Sequence, residues 1–221
     1  MTKFELQQRW YQFGKCMCRA FFYPLYRIRA FGTQNVPKEG PILLLSNHQS
    51  FFDPILCQIP LKRDFYCVAR DTLYKNKLFG AILLTVNTIP IKRGQADLSA
   101  MKTVISKIKQ GWGMCLFPEA TRTSNGKIAD IKPGLGLISR RTGAKVVPVV
   151  IDGAFECWPR HKKFPSLGRI GISYGEPITS EKVKELGDRE FARFLTNQLR
   201  EMQHECRIKL GREPFDYSDV D

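Results

Sequence analysis

Four apolar residues, Ile42 to Leu45, stop abruptly in Ser46-Asn47-His48-Gln49-Ser50, and Asp53 follows His48 by five positions. A short unbroken apolar run bounded by polar residues is the pattern of a buried strand ending at a sheet edge. In open α/β sheets, ligand sites lie just beyond the carboxyl ends of strands. An imidazole there, with a carboxylate within one turn, has the parts of an oriented general base. Asn, Ser and Asp are equally turn and cap residues, and for this stretch taken alone a structural role is the commoner one.

The same break recurs. Ile89-Pro-Ile-Lys92-Arg93, Phe117-Pro-Glu119-Ala-Thr-Arg122 and Val147-Pro148-Val149 each read as the end of a strand. Strands are predicted at 65–70, 88–93, 114–117, 145–151 and 169–174. Helices are predicted at 54–59, 72–86, 96–110 and 133–142, with Thr179 or Ser180 capping one more and Asp188 a longer one to about Lys209. Alternating strands and helices predict an α/β fold with a mostly parallel or mixed central sheet flanked by helices. If the strands are neighbours, His48, Asp53, Arg93, Glu119 and Arg122 converge on one crevice. Guanidiniums there would hold phosphate oxygens in fork geometry, with Glu119 orienting them or accepting from a substrate hydroxyl.

The N-terminal segment differs from this body. Over residues 4–28, predicted as one or two short helices interrupted at Pro24, aromatic residues such as Trp10, Phe13 and Phe21 alternate with Arg9, Lys15, Arg19 and Arg27. After Glu5 no acidic residue appears before Glu39. Rings and cations without carboxylates suit the headgroup layer of an anionic bilayer. The organisation read from this shift is a membrane-contact segment at 1–30, an α/β domain at 31–212 and a loose acidic tail at 213–221. The net charge of +14 over 221 residues points to an acidic partner: bilayer, phosphorylated substrate with an acidic carrier, or nucleic acid. No recognition helix or RNA-binding signature accompanies it, so a nucleic-acid partner is not expected. No apolar run reaches the roughly 18 residues of a spanning helix, and no signal peptide is recognised. The seven scattered cysteines, with no Cys-x-x-Cys, read as reduced buried thiols. His48, His161 and His204 form no ligand cluster, and His161 belongs to the basic loop Arg160-His-Lys-Lys163.

Together the four segments resemble the glycerolipid acyltransferase superfamily, whose best-known branch is the 1-acylglycerol-3-phosphate acyltransferases. Asn47-His48 with Asp53 matches the family's Asn-His-x-x-x-x-Asp motif, and Ile89-Pro-Ile-Lys-Arg93 the second motif, whose arginine binds phosphate. Phe117-Pro-Glu-Ala-Thr-Arg122 matches the third, Lys132-Pro-Gly134 its downstream Lys-x-Gly, and Val147-Pro148-Val149 the fourth. The resemblance covers about residues 30–178. It implies a glycerol-3-phosphate acyltransferase-like fold and a reaction in which His48 is the base and Asp53 fixes its tautomer. It also implies that Asn47, Arg93, Glu119, Thr121, Arg122 and Lys132 bind substrate, with no metal or cofactor. The acceptor would be a lysophospholipid, foremost 1-acyl-sn-glycerol-3-phosphate, and the donor acyl-CoA or acyl carrier protein. The enzyme would sit on the cytoplasmic face of a membrane, peripheral or monotopic. Ala120 departs from the family's usual glycine; its methyl is expected to crowd a backbone approach or to exclude a positive φ. A hydrolase using the same His-Asp pair on water is the rival enzyme.

Overall fold

The computed structural model describes residues 3–92 and 97–218. In chain order the elements are α1 (Lys3–Tyr26), β1 (Arg29–Phe31), β2 (Ile42–Ser46), α2 (Asp53–Leu56), β3 (Phe65–Arg70), α3 (Lys77–Thr85) and β4 (Thr88–Ile91). There follow α4 (Leu98–Lys109), β5 (Gly113–Leu116), α5 (Gly136–Thr142), β6 (Lys145–Asp152), α6 (Ala154–Cys157), β7 (Gly171–Tyr174) and α7 (Ser180–Lys209). The strands form one sheet in the order β1-β7-β6-β2-β5-β3-β4. All neighbours are parallel except β6 and β7, so the sheet is mixed.

β2 lies between β6 and β5 and is buried along its whole length, which is why it reads as an unbroken apolar run. Its side chains alternate between two cores. Ile42 and Leu44 join Phe22, Tyr26 and Leu56 from α1 and α2 on one face. Leu43 and Leu45 meet Val104, Ile108, Ile138 and Leu195 from α4, α5 and α7 on the other. Because β2, β5, β6, β3 and β4 run parallel, their carboxyl ends open on one edge of the sheet.

Several expectations are corrected. The N-terminal segment is one of the two expected forms, a single helix, but at 24 residues it is not short, and Pro24 lies in its last turn; Arg27, in the left-handed region at φ 41, ends it. Nor do its cations all face outward. Lys15 is buried, donating to Arg63 O at 2.7 Å and pairing with Asp64, and Arg19 donates to the Ile59 and Leu61 carbonyls. Burial lowers the Lys15 ammonium to about 8. Residues 72–86 are a 3-10 turn followed by the shorter α3. Val147-Pro148-Val149 lies inside β6 rather than at its end. Pro148 is tolerated there because its carbonyl accepts from Gly175, facing the β7 side, where strand pairing begins only at Val149. The tail is not loose as far as residue 218: Phe215 lies under the Arg207 guanidinium, and the Tyr217 hydroxyl accepts from Ile128 N–H at 2.9 Å. Five cysteines are buried free thiols, while Cys16 is exposed and Cys18 partly so.

Candidate active site

The turn between β2 and α2 is folded around one carboxylate oxygen. Asp53, fully buried at the start of α2, accepts through Oδ2 from His48 Nδ1 at 2.7 Å, Gln49 N–H at 2.5 Å and Ser50 N–H at 2.7 Å. An ionised carboxylate only accepts, so the Nδ1 proton belongs to His48. That leaves Nε2 as the nitrogen with a free lone pair. The His48 side chain keeps 15% of its surface open to solvent, and its imidazole stacks on Phe117 with centroids 4.3 Å apart and planes 25° apart. An oriented, partly open imidazole with a buried carboxylate behind it is equipped to take a proton from a hydroxyl and give it back.

The segment after β5, the strand next to β2, closes on this turn from the side. Glu119 Oε1 accepts the His48 N–H at 2.9 Å, and Thr123 N–H donates to His48 O at 2.8 Å. Glu119 therefore holds the backbone of His48, a role its sequence position does not announce. Burial pushes its carboxyl up to about 7, against the hydrogen bonds from the His48 and Ala129 N–H groups. The Arg122 guanidinium carbon sits 3.5 Å from the ring centroid of Phe51, in the same turn as His48. Thr121 and Lys132 are exposed. Ala120 adopts φ 55, so the methyl does not exclude the left-handed conformation; it is accommodated there, exposed, with its N–H on Phe117 O at 3.0 Å.

Two expected binding residues stand differently. Arg93 lies outside the described residues. β4, which leads to it, ends at Ile91 three strands from β2, about 14 Å away at ordinary strand spacing. Asn47 is buried, and both ends of its amide are spent on β6: Nδ2 donates to Ile151 O at 2.9 Å and Oδ1 accepts Ile151 N–H at 2.8 Å. It clips two strand ends together.

Sequence reasoning missed the supports. Gln49 donates to Gly126 O at 3.0 Å, an oxygen that also accepts from Gln203 of α7. The Ser50 hydroxyl donates to Trp158 O at 3.0 Å. Phe52 is packed by Phe22 and Tyr26 of α1 and by Trp158. No local pattern marks these residues, since each pairs with one far off in the chain. Among the described residues, no group of three or more His, Cys, Asp and Glu side chains is placed to hold a metal ion.

A family model described as Acyltransferase matches residues 27–152, more than half of the chain and all four motifs. The chain belongs to the acyltransferase family. This acyltransferase is 27% identical over 164 residues to a chloroplastic 1-acyl-sn-glycerol-3-phosphate acyltransferase of Arabidopsis thaliana, a match covering 72% of the chain and 46% of that protein. It is 25% identical over 186 residues to the 1-acyl-sn-glycerol-3-phosphate acyltransferase of Bacillus subtilis, covering 84% of the chain and 90% of the relative. The chain spans about half the length of several curated relatives it matches, the Arabidopsis protein among them. Its fold is similar to the crystal structure of the 1-acyl-sn-glycerophosphate acyltransferase PlsC of Thermotoga maritima, with a TM-score of 0.75 at 24% identity, covering 90% of this chain and 78% of that one.

Proposed function

We propose that this acyltransferase moves a fatty acyl chain from a thioester, carried by coenzyme A or acyl carrier protein, to the free hydroxyl of 1-acyl-sn-glycerol-3-phosphate, yielding phosphatidate. The observation that carries the reading is the His48 Nδ1–Asp53 Oδ2 contact of 2.7 Å, on an imidazole that remains partly open. His48 Nε2 takes the hydroxyl proton as the oxygen attacks the thioester carbonyl, and the tetrahedral intermediate expels the thiolate, which recovers the proton from His48. Asp53 keeps the imidazole in the required tautomer and faces the imidazolium charge while it exists. Phe117 limits the ring's rotation from one side. Arg122, above Phe51 beside the base, and Arg93 supply charge for the acceptor's phosphate. The acceptor follows from the names borne by the relatives. No cofactor takes part; the acyl thioester is a co-substrate.

The acceptor is a lipid, and α1 is the contact to its membrane. Leu6, Trp10, Phe13, Met17 and Phe21 recur at helical spacing on its outer side, and each is more than half exposed. Leu78 and Ile82 of α3, also exposed, extend the apolar surface, with Trp10 Nε1 donating to Thr85 at the end of that helix. An exposed apolar stripe of this length on a packed helix is an interfacial face. Among the described residues no helix is long and apolar enough to cross a membrane, and the contact is peripheral or monotopic, on the cytoplasmic face.

The test is acyl transfer to lysophosphatidate by purified protein, with product mass spectrometry and both donor types. His48→Ala is expected to lose about 10²–10⁴-fold in turnover, the usual worth of a general base. Near-normal turnover in that variant sinks the assignment; release of free fatty acid without acylated product replaces the transferase by a hydrolase.

A further inference from the structure

After α6 the chain rises from the catalytic turn into a surface loop. Trp158 packs on Phe51 and Phe52 at 5.1 and 4.8 Å between centroids. Beyond it, residues 159–168 are held in a defined shape: the Trp158 indole donates to Lys162 O at 3.1 Å, Lys162 N–H to Pro159 O at 3.2 Å, and Ser166 N–H to Cys157 O at 2.8 Å. Gly168 closes the loop so tightly that a Cβ there would lie 2.5 Å from Cys157 Sγ. Despite this order, the loop sends two large apolar side chains into solvent. Phe164 is 80% exposed, the most of any large apolar residue among those described, and Leu167 is 72% exposed. Arg160, Lys162 and Lys163 stand beside them, exposed, and among the described residues they make no ion pair. The stretch 157–168 contains no acidic residue.

We infer that residues 159–168 are a second membrane contact, in which Phe164 and Leu167 enter the interface of an anionic bilayer while Arg160, Lys162 and Lys163 meet lipid phosphates. The combination selects this partner. A water-soluble polyanion, such as the donor's phosphates or an acidic carrier, answers the cations and leaves both apolar side chains in water. A bilayer interface takes both kinds of group at once. The position fits too, because Phe52 of that turn touches both Trp158, at 4.8 Å between centroids, and Phe22 of α1, at 4.9 Å. The loop and the end of α1 therefore both adjoin the turn that bears His48, and two contacts fix the orientation of that turn to the membrane where one would leave the molecule free to tilt. The inference rests on the membrane reading above, and its assay is independent of turnover.

The experiment is co-sedimentation of the full chain with phosphatidylcholine vesicles with and without phosphatidylglycerol. Three variants are compared with the wild type: Arg160→Ser/Lys162→Ser/Lys163→Ser, Phe164→Ser/Leu167→Ser, and Phe13→Ser/Phe21→Ser in α1. The triple variant is expected to lose on the order of 100-fold in binding to anionic vesicles at low salt. The Phe164/Leu167 variant is expected to lose about tenfold, and to do so at high salt as well. Both loop variants should turn over a dissolved short-chain acceptor at the wild-type rate and fall behind only on vesicle-embedded acceptor. Wild-type partitioning in both loop variants overturns the inference and leaves α1 as the anchor. Intact vesicle binding with a raised KM for the donor overturns it in favour of donor docking. Wild-type protein that binds vesicles but transfers no acyl group sinks the proposed reaction and leaves the loop's role standing.

Discussion

Burial raises the Glu119 carboxyl from its ordinary value of 4.5 to about 7, so the unfolded chain ionises there first. Between about pH 4.5 and about pH 7 the folded protein holds the extra proton, and its stability falls as pH rises through that window. Glu119→Gln, which cannot titrate, should remove this component. The wild type should lose stability relative to the variant at about 1 kcal/mol per pH unit up to neutrality, then run parallel to it. Urea unfolding of both proteins across the window measures it, and parallel curves throughout would mean the carboxyl titrates normally. Ala120 gives a second residue-scale expectation. A side chain at φ 55 costs about 1–2 kcal/mol, partly offset by the backbone entropy that glycine loses on folding. Ala120→Gly should stabilise the protein by about 0.5–1 kcal/mol, seen as a higher urea midpoint; a lower midpoint would show that the turn is unstrained. The identity of His48, Asp53, Glu119 and Arg122 as a group was visible in the motifs. That Glu119 grips the backbone of His48 was not, because the contact spans 71 positions of chain.

At the scale of elements, Asn47 shows what holds the site in place. Its amide bonds both backbone groups of Ile151, joining the end of β2 to β6 where the turn bearing His48 departs. Asn47→Ala should leave a buried N–H and C=O unpaired, at about 1–3 kcal/mol each, and should lower turnover by loosening the turn while leaving the KM for acceptor close to wild type. Thermal melting and steady-state kinetics separate the two roles: unchanged stability with a raised acceptor KM would make Asn47 a substrate-binding residue instead. Local signals placed most elements well. β3 is found at 65–70 as expected, and Thr179 caps α7 by accepting Lys182 N–H. The boundary read at Asp188 corresponds to Gly187, whose φ of 71 and ψ of 177 interrupt α7. β1 escaped notice because three residues have no periodicity to display. Arg29–Phe31 is a strand only because Gly171–Ser173 lies alongside it.

For the whole molecule, the decisive fact is sheet order. β2 and β5 are separated by some seventy residues yet pair directly, which sets His48 beside Glu119 and Arg122. The same assembly turns α1 so that Tyr11, Phe22 and Tyr26 are buried while Phe13 and Phe21 face outward. Replacing that outer pair, Phe13→Ser/Phe21→Ser, should weaken vesicle binding by about tenfold or more with little change in melting temperature, since neither side chain is in the core. A large drop in melting temperature with unchanged binding would make the stripe structural. The sequence by itself determined the α/β alternation, the buried strand that stops just before His48, the polar breaks after β2 and β5 and the basic aromatic head. These rest on periodicity and residue type, which act over a few positions. Only the tertiary structure decided which strands are neighbours, which face of α1 is outward, that Asn47 and Glu119 serve the backbone, and that the tail packs against the loop at Ile128. Each of these depends on pairing between distant segments, and nothing within a local window of sequence constrains that pairing.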